Sequence, residues 1–354
     1  MGQPASEHPA VHADSLGPAL EPALCEAVRE RGGTLSGVRW FRSDWQRGGG
    51  ATAFATFTDA DGRSRAAVAK LPVGPSELRW TLALGTDASD PAEWCTPRVL
   101  ASGDSLGGYD LGWLVLERLS GESMSHHADA DGVHAMLRAC AMFQSRAARA
   151  RPPSDEPTAS PDFDALVDKS REVIRRSDIA ETTAWSVELR HAHKAMPMLL
   201  SKWRSREINA WCHGDCHVGN AMLRVPTGTV PSGPAVNGPG GNGHAQACLL
   251  PTASIVLIDL ALVHTGHWVE DAVYLERTMW GRPGALDGVH AVKELAAARR
   301  ALGLACDGDY GMIANVKRAL HAAIAPALLE REGNPRYLSA ALEVLRRTLP
   351  QVAH

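Results

Sequence analysis

The chain has 354 residues, of which 45% are hydrophobic and 21% charged, with a formal net charge of −4. That length is enough for about two domains. The composition is that of a globular protein, neither disordered nor membrane-embedded, and the negative balance offers no general field for nucleic acid or an acidic membrane. No apolar run reaches the roughly 18 residues that a spanning helix needs, and the N-terminus lacks the basic and apolar segments of a secretory signal. Seven cysteines, odd in number and scattered, fit free thiols in a reducing compartment, so a cytoplasmic protein with no membrane partner is expected.

Residues 1–16, rich in Pro, His, Ala and Ser, have no hydrophobic period and are expected to form a disordered tail. Helical spacing ending in glycines predicts a helix over Pro18–Gly32. Three β-like runs follow, Leu35–Arg42, Ala51–Thr58 and Ser64–Leu71. A glycine-rich turn, Ser43–Gly50, joins the first two, and the hairpin composition Asp59–Gly62 joins the second and third. After Pro75 a short helix stops at Gly85, and the strand-like runs Thr96–Ser102 and Gly112–Leu119 bring the strands to five.

Beyond residue 120 the pattern is mainly helical: Ala128–Ala150, Phe163–Ser177, Val187–Trp203, Trp268–Trp280, Val289–Leu302, Met312–Glu330 and Pro335–Leu349. Two apolar strands, Ala221–Val225 and Ile255–Leu260, interrupt it. Between them residues 226–254 hold six Gly, five Pro and no Asp, Glu, Lys or Arg, a composition predicting a flexible surface insertion. Strands first and helices later predict an α+β protein with an N-terminal lobe over residues 17–119 and a helical lobe over 120–354.

The densest chemical signal is Trp211–Val225, which contains His213-Gly214-Asp215-Cys216-His217-Val218-Gly219-Asn220 and runs into an apolar strand. An Asp followed five residues later by an Asn on such a loop has the form of a phosphoryl-transfer catalytic loop. The carboxylate of Asp215 can orient an acceptor hydroxyl and take its proton, and the amide oxygen of Asn220 can bind Mg²⁺ without adding charge. A metal–phosphate site also needs a cation. Lys70 is the only Lys among the first 168 residues, which contain 14 Arg, so generic surface charge explains it poorly. Its compact ammonium suits a point contact with phosphate oxygens.

These residues resemble the aminoglycoside phosphotransferase and choline kinase-like family, whose loop reads H-G-D-x-H-x-x-N and whose fold is that of the protein kinases. The resemblance implies ATP and Mg²⁺ as cofactors, held between a five-stranded antiparallel sheet lobe and a helical lobe. It makes Asp259, after the apolar run Ile255–Ile258, the principal Mg²⁺ ligand alongside Asn220, and Asp271 the carboxylate that anchors the loop. It gives Lys70 a helix glutamate as partner, Glu77 first and Glu93 as the alternative. The Arg47–Gly50 turn, with Gly48 and Gly49, falls where the family covers the phosphates, and Glu117–Leu119 where its hinge offers backbone groups to adenine. The absence of Phe-Gly after Asp259 points to the small-molecule branch. The implied function is Mg·ATP-dependent phosphorylation of a hydroxyl on a small metabolite or natural product.

Other readings fit the sequence less well. A nucleotide-binding interaction module without turnover has no need for the whole set Asp215, Asn220, Asp259 and Lys70. Zinc at Cys212, His213, Cys216 and His217, with His264 and His267 downstream, would require side chains that alternate around Asp215 to converge from one loop. An aromatic cage from the ten Trp is disfavoured because most lie at core spacing, leaving Trp268 and Trp280 as the two to examine. Residues 287–354 carry nine Lys/Arg against seven Asp/Glu, which does not suit a polycationic antibiotic as acceptor.

Overall fold

The structure is a computed structural model that describes residues 13–41, 50–86, 94–154, 161–224, 254–306, 308–329 and 334–353. The predicted insertion 226–254 lies outside these except for Ser254, and the predicted tail lies outside them up to residue 12. The described chain forms two compact units: residues up to Leu119 together with Asp259–Leu262, and Ser120–Ile258 together with residues from Val263 onward.

The first unit opens with α1, Ala13–Glu30, which overlaps the last four residues of the predicted tail. Pro18, where the predicted helix begins, is inside this helix, as is Pro22. Burial of Leu24 and Val28 against the sheet outweighs the two missing backbone donors. The strands are β1 (Thr34–Phe41), β2 (Ala51–Thr58), β3 (Ser64–Val73), β4 (Val99–Gly103) and β5 (Gly112–Glu117), paired antiparallel in the order β1-β2-β3-β5-β4. β4 starts three residues later than predicted, beyond Pro97, whose nitrogen cannot join a ladder.

Side chains alternate across a strand. Ala67, Ala69 and Leu71 of β3 and Trp113 and Val115 of β5 share a core with Leu24 and Val28 of α1. Lys70 is therefore on the opposite face, in register with Thr52 of β2 and Leu114 of β5. Just past Lys70 the β3–β5 register shifts, at a stretch where Pro72 has no N–H to donate. Helix α2, Pro75–Gly85, follows, with Pro75 in its first turn and Trp80 and Leu84 buried.

The second unit contains α3 (Ala130–Ala150), α4 (Phe163–Arg176), α5 (Thr182–Arg204), α6 (Val269–Met279), α7 (Ala291–Ala301), α8 (Tyr310–Ala323) and α9 (Pro335–Val352). Apolar faces of α4, α5, α8 and α9 meet in one core that includes Phe163, Trp185, Trp203, Leu320 and Leu345. The helix predicted over Met312–Glu330 is broken: α8 ends at Ala323 and a 3₁₀ turn, Ala325–Leu328, follows. Pro326 supplies the reason, since its ring removes a donor and collides with the carbonyl four residues back.

Two short antiparallel pairs complete this unit. β6 (Ala210–Cys212) pairs with β9 (His264–Gly266), and β7 (Ala221–Arg224) with β8 (Ser254–Leu257). The second pair holds Arg224 opposite Ser254, so the described chain on either side of residues 225–253 is in register. Among the described residues no helix is long and apolar enough to cross a membrane.

Candidate active site

Strand β6 leads into the loop His213–Asn220, and β7 leads out of it. The loop's backbone is held from α6. Asp271 accepts the amide of His213 at 3.0 Å on Oδ2 and the amide of Gly214 at 3.1 Å on Oδ1. Gln144 Nε2 on α3 donates to the same Oδ2 at 3.1 Å, and the Asp271 carboxylate is 1% exposed. Gly214 sits at φ +81°, a conformation that a side chain would oppose.

His213 is fully buried and bridges two segments. Its Nδ1 accepts the Asp215 amide at 3.3 Å, so Nε2 carries the proton and donates to the Ile258 carbonyl at 3.1 Å. The Ile258 amide in turn donates to the Asn220 carbonyl at 2.9 Å.

Asp215 receives donors on both carboxylate oxygens. Tyr274 on α6 donates its hydroxyl to Oδ1 at 2.6 Å, and Asn220 Nδ2 donates to Oδ2 at 2.8 Å. His217 Nε2 stands 3.6 Å from the same Oδ2, while its Nδ1 accepts the Gly219 amide at 3.0 Å. Burial alone would raise the pKa of Asp215, but the neighbouring His217 and the hydrogen bonds from Tyr274 and Asn220 override it and hold the carboxyl at about 2. The group is ionised at neutral pH. Asn220 also donates from Nδ2 to the Asp215 carbonyl at 3.1 Å, so its amide nitrogen is committed and its Oδ1 is the end left to act as a neutral hard donor.

In the sheet unit Lys70 Nζ is 2.6 Å from Glu77 Oε1 and 3.4 Å from Asp259 Oδ1. Glu77 is in the first turn of α2 and Asp259 immediately precedes the 3₁₀ turn Leu260–Leu262. Burial would lower the Lys70 pKa, yet the facing carboxylates of Glu77 and then Asp259 outweigh it and the value is raised, so the ammonium stays charged. Burial pushes the Glu77 carboxyl up, against the pull of Lys70. Asp259 is the more open acid, its side chain 46% exposed, at φ +62°, a left-handed conformation that Asp tolerates better than most residues. Its carboxylate and the Asn220 amide oxygen are both oxygen donors of the kind Mg²⁺ takes.

Glu117 closes β5, its amide donating to the Arg98 carbonyl at 2.9 Å and its carboxylate accepting from the Arg98 amide at 2.9 Å. Leu119 lies two residues past that strand. Gly48, Gly49 and the alternative partner Glu93 lie outside the described residues. Tyr274 is the site residue that the sequence reading missed. Its position three residues after Asp271 on the same helix is the signal that could have found it.

Of the zinc candidates, His213 spends both ring nitrogens within the loop region and His217 spends Nδ1 there. Ligand atoms of Cys212, His264 and Glu270 do lie within 4.8 Å of one another. Glu270, however, already faces Arg206 at 3.0 Å and Lys317 at 3.3 Å, so a divalent ion there would be a third cation on one buried carboxylate. Trp268 and Trp280 are both buried in the helical unit, which removes the open cage they could have formed.

Comparison with solved structures shows a kinase-like fold. An aminoglycoside phosphotransferase from Alicyclobacillus acidocaldarius superposes with a TM-score of 0.53 at 15% identity, covering 98% of this chain and 96% of that one. A choline kinase from Streptococcus pneumoniae aligns at a TM-score of 0.48 and 9% identity over 94% of this chain and 99% of that one. The phosphotransferase enzyme family matches residues 28–233, more than half of the chain, and the chain belongs to that family. No curated protein sequence is a significant match.

Proposed function

We propose that the protein transfers the γ-phosphoryl group of Mg·ATP to a hydroxyl of a small molecule, a metabolite or natural product. The observation that carries this reading is the Asp215 carboxylate, held on both oxygens by Tyr274 and Asn220, on a loop whose backbone Asp271 fixes from α6. In the reaction the acceptor oxygen forms a bond to the γ-phosphorus, the bond from that phosphorus to the β–γ bridging oxygen breaks, and ADP leaves with the electron pair. The acceptor proton passes to Asp215. So acidic a carboxyl is a weak base, hence its main part is to orient the hydroxyl, with the proton following as the new bond forms.

Lys70 is assigned to the α/β phosphates, with Glu77 holding its ammonium in place. Gly48, Gly49, Glu117 and Leu119 are assigned to the nucleotide. Mg²⁺, when bound, would neutralise charge on the phosphates, and Asn220 and Asp259 would hold it. Free thiols at all six described cysteines support a reducing compartment and hence the cytoplasm.

The test is ADP release by the purified protein across a panel of hydroxyl-bearing metabolites, antibiotics and peptides. Acceptor-dependent ADP supports the reading. Tight Mg·ATP binding with no acceptor-dependent ADP favours the alternative, a nucleotide-binding interaction module of the same fold.

A further inference from the structure

We propose that Tyr274 is a positioning residue for phosphoryl transfer, acting on the acceptor through Asp215; the inference rests on the reading of Asp215 given above. Two residues of α6 act on one loop. Asp271 grips its backbone at His213 and Gly214, and Tyr274, three positions on and so on the same side of the helix, grips the carboxylate of Asp215 at 2.6 Å. Helix and loop residue are 59 positions apart in sequence, so the contact is a product of the fold and not of local geometry.

The terminal torsion of an Asp side chain is broad and roughly two-fold. A single donor, Asn220 on Oδ2, leaves the carboxylate free to swing about that contact. A second donor on Oδ1, arriving from a different element, fixes the plane, and the lone pairs that remain then point in set directions. An acceptor hydroxyl meeting such a carboxylate is oriented without first having to order it. Tyr274 is half-buried and its ring also lies beside Arg277, at 5.7 Å, so a phenyl ring in its place keeps the packing and loses only the O–H.

The experiment compares wild type, Tyr274→Phe, Asp215→Ala and the double variant as full chains. It uses Mg·ATP with the acceptor that gives the most ADP, or with water as acceptor if none does. Tyr274→Phe is expected to lower kcat about tenfold or more, the fold-change of a lost hydrogen bond to a charged group. KM for ATP should stay at its wild-type value, and the variant should remain folded at the assay temperature even though a lost hydrogen bond lowers its melting temperature. In the Asp215→Ala background the same change should alter the residual rate less than twofold, because the two residues act as one unit.

A kcat within twofold of wild type in Tyr274→Phe, while Asp215→Ala abolishes transfer, overturns the role of Tyr274 and leaves the catalytic reading standing. Unfolding of the variant at the assay temperature, or a loss of ATP affinity in parallel with kcat, makes Tyr274 a structural residue and also overturns it. Undiminished transfer in Asp215→Ala overturns the catalytic reading itself.

Discussion

Lys70 Nζ and Glu77 Oε1 stand 2.6 Å apart, and the glutamate side chain is 8% exposed. The pair ties β3 to the first turn of α2 and fixes an ammonium on the sheet face opposite α1. In a chain that otherwise uses Arg for its basic residues almost throughout, a Lys held this way is a specific choice.

Lys70→Arg keeps the charge and should still fail. The guanidinium is broad and planar and cannot occupy the point that the ammonium takes beside Glu77 and Asp259. Mg·ATP affinity measured by titration calorimetry should fall about tenfold. An affinity within twofold of wild type would make Lys70 an ordinary strand cation.

Asp259→Ala removes the more exposed of the two acids facing Lys70. If Asp259 is the metal ligand, Mg·ATP affinity should drop while affinity for ATP in the presence of excess EDTA changes little. Equal losses with and without the metal would assign Asp259 to Lys70 alone.

Asp271→Ala is expected to be a stability variant first. It strips the acceptor from two backbone amides, His213 and Gly214, and from Gln144, in a buried or part-buried setting. Unsatisfied buried donors of this kind cost about 3 kcal/mol together. The urea midpoint should fall accordingly, with a slope similar to wild type.

His267 makes stability depend on pH in the mildly acidic range. It is 3% exposed, and burial lowers its pKa from 6.5 to about 4. Between those values the unfolded chain binds a proton that the folded chain refuses, so stability is full above pH 6.5 and falls as pH drops toward 4. The loss amounts to about 3 kcal/mol at 1.36 kcal/mol per unit. In His267→Gln the denaturation midpoint measured across that window should flatten; an unchanged slope would assign the acid sensitivity to other groups.

Most of the fold was legible because its long elements have clear periods. The five strands and the helices after residue 120 are each marked by alternation or helical spacing, and Pro and Gly punctuate them. The misses have local causes. β6 and β9 have three residues each, too few to show a period. Met312–Glu330 is periodic throughout, and that period masks the break that Pro326 makes. At the site, scarcity of Lys singled out Lys70, and the spacing of Asp215 and Asn220 marked the loop. Tyr274 was not legible in the same way, since a tyrosine within an apolar helix reads as core until the fold brings it to Asp215.

Whether Asp215 orients the acceptor of a phosphoryl transfer is read from single-turnover transfer from Mg·ATP in Asp215→Ala. The transfer rate should fall by at least about a hundredfold, in line with the contribution of a positioned acid–base group, with Mg·ATP affinity nearly unchanged. Transfer within threefold of wild type in that variant would contradict it.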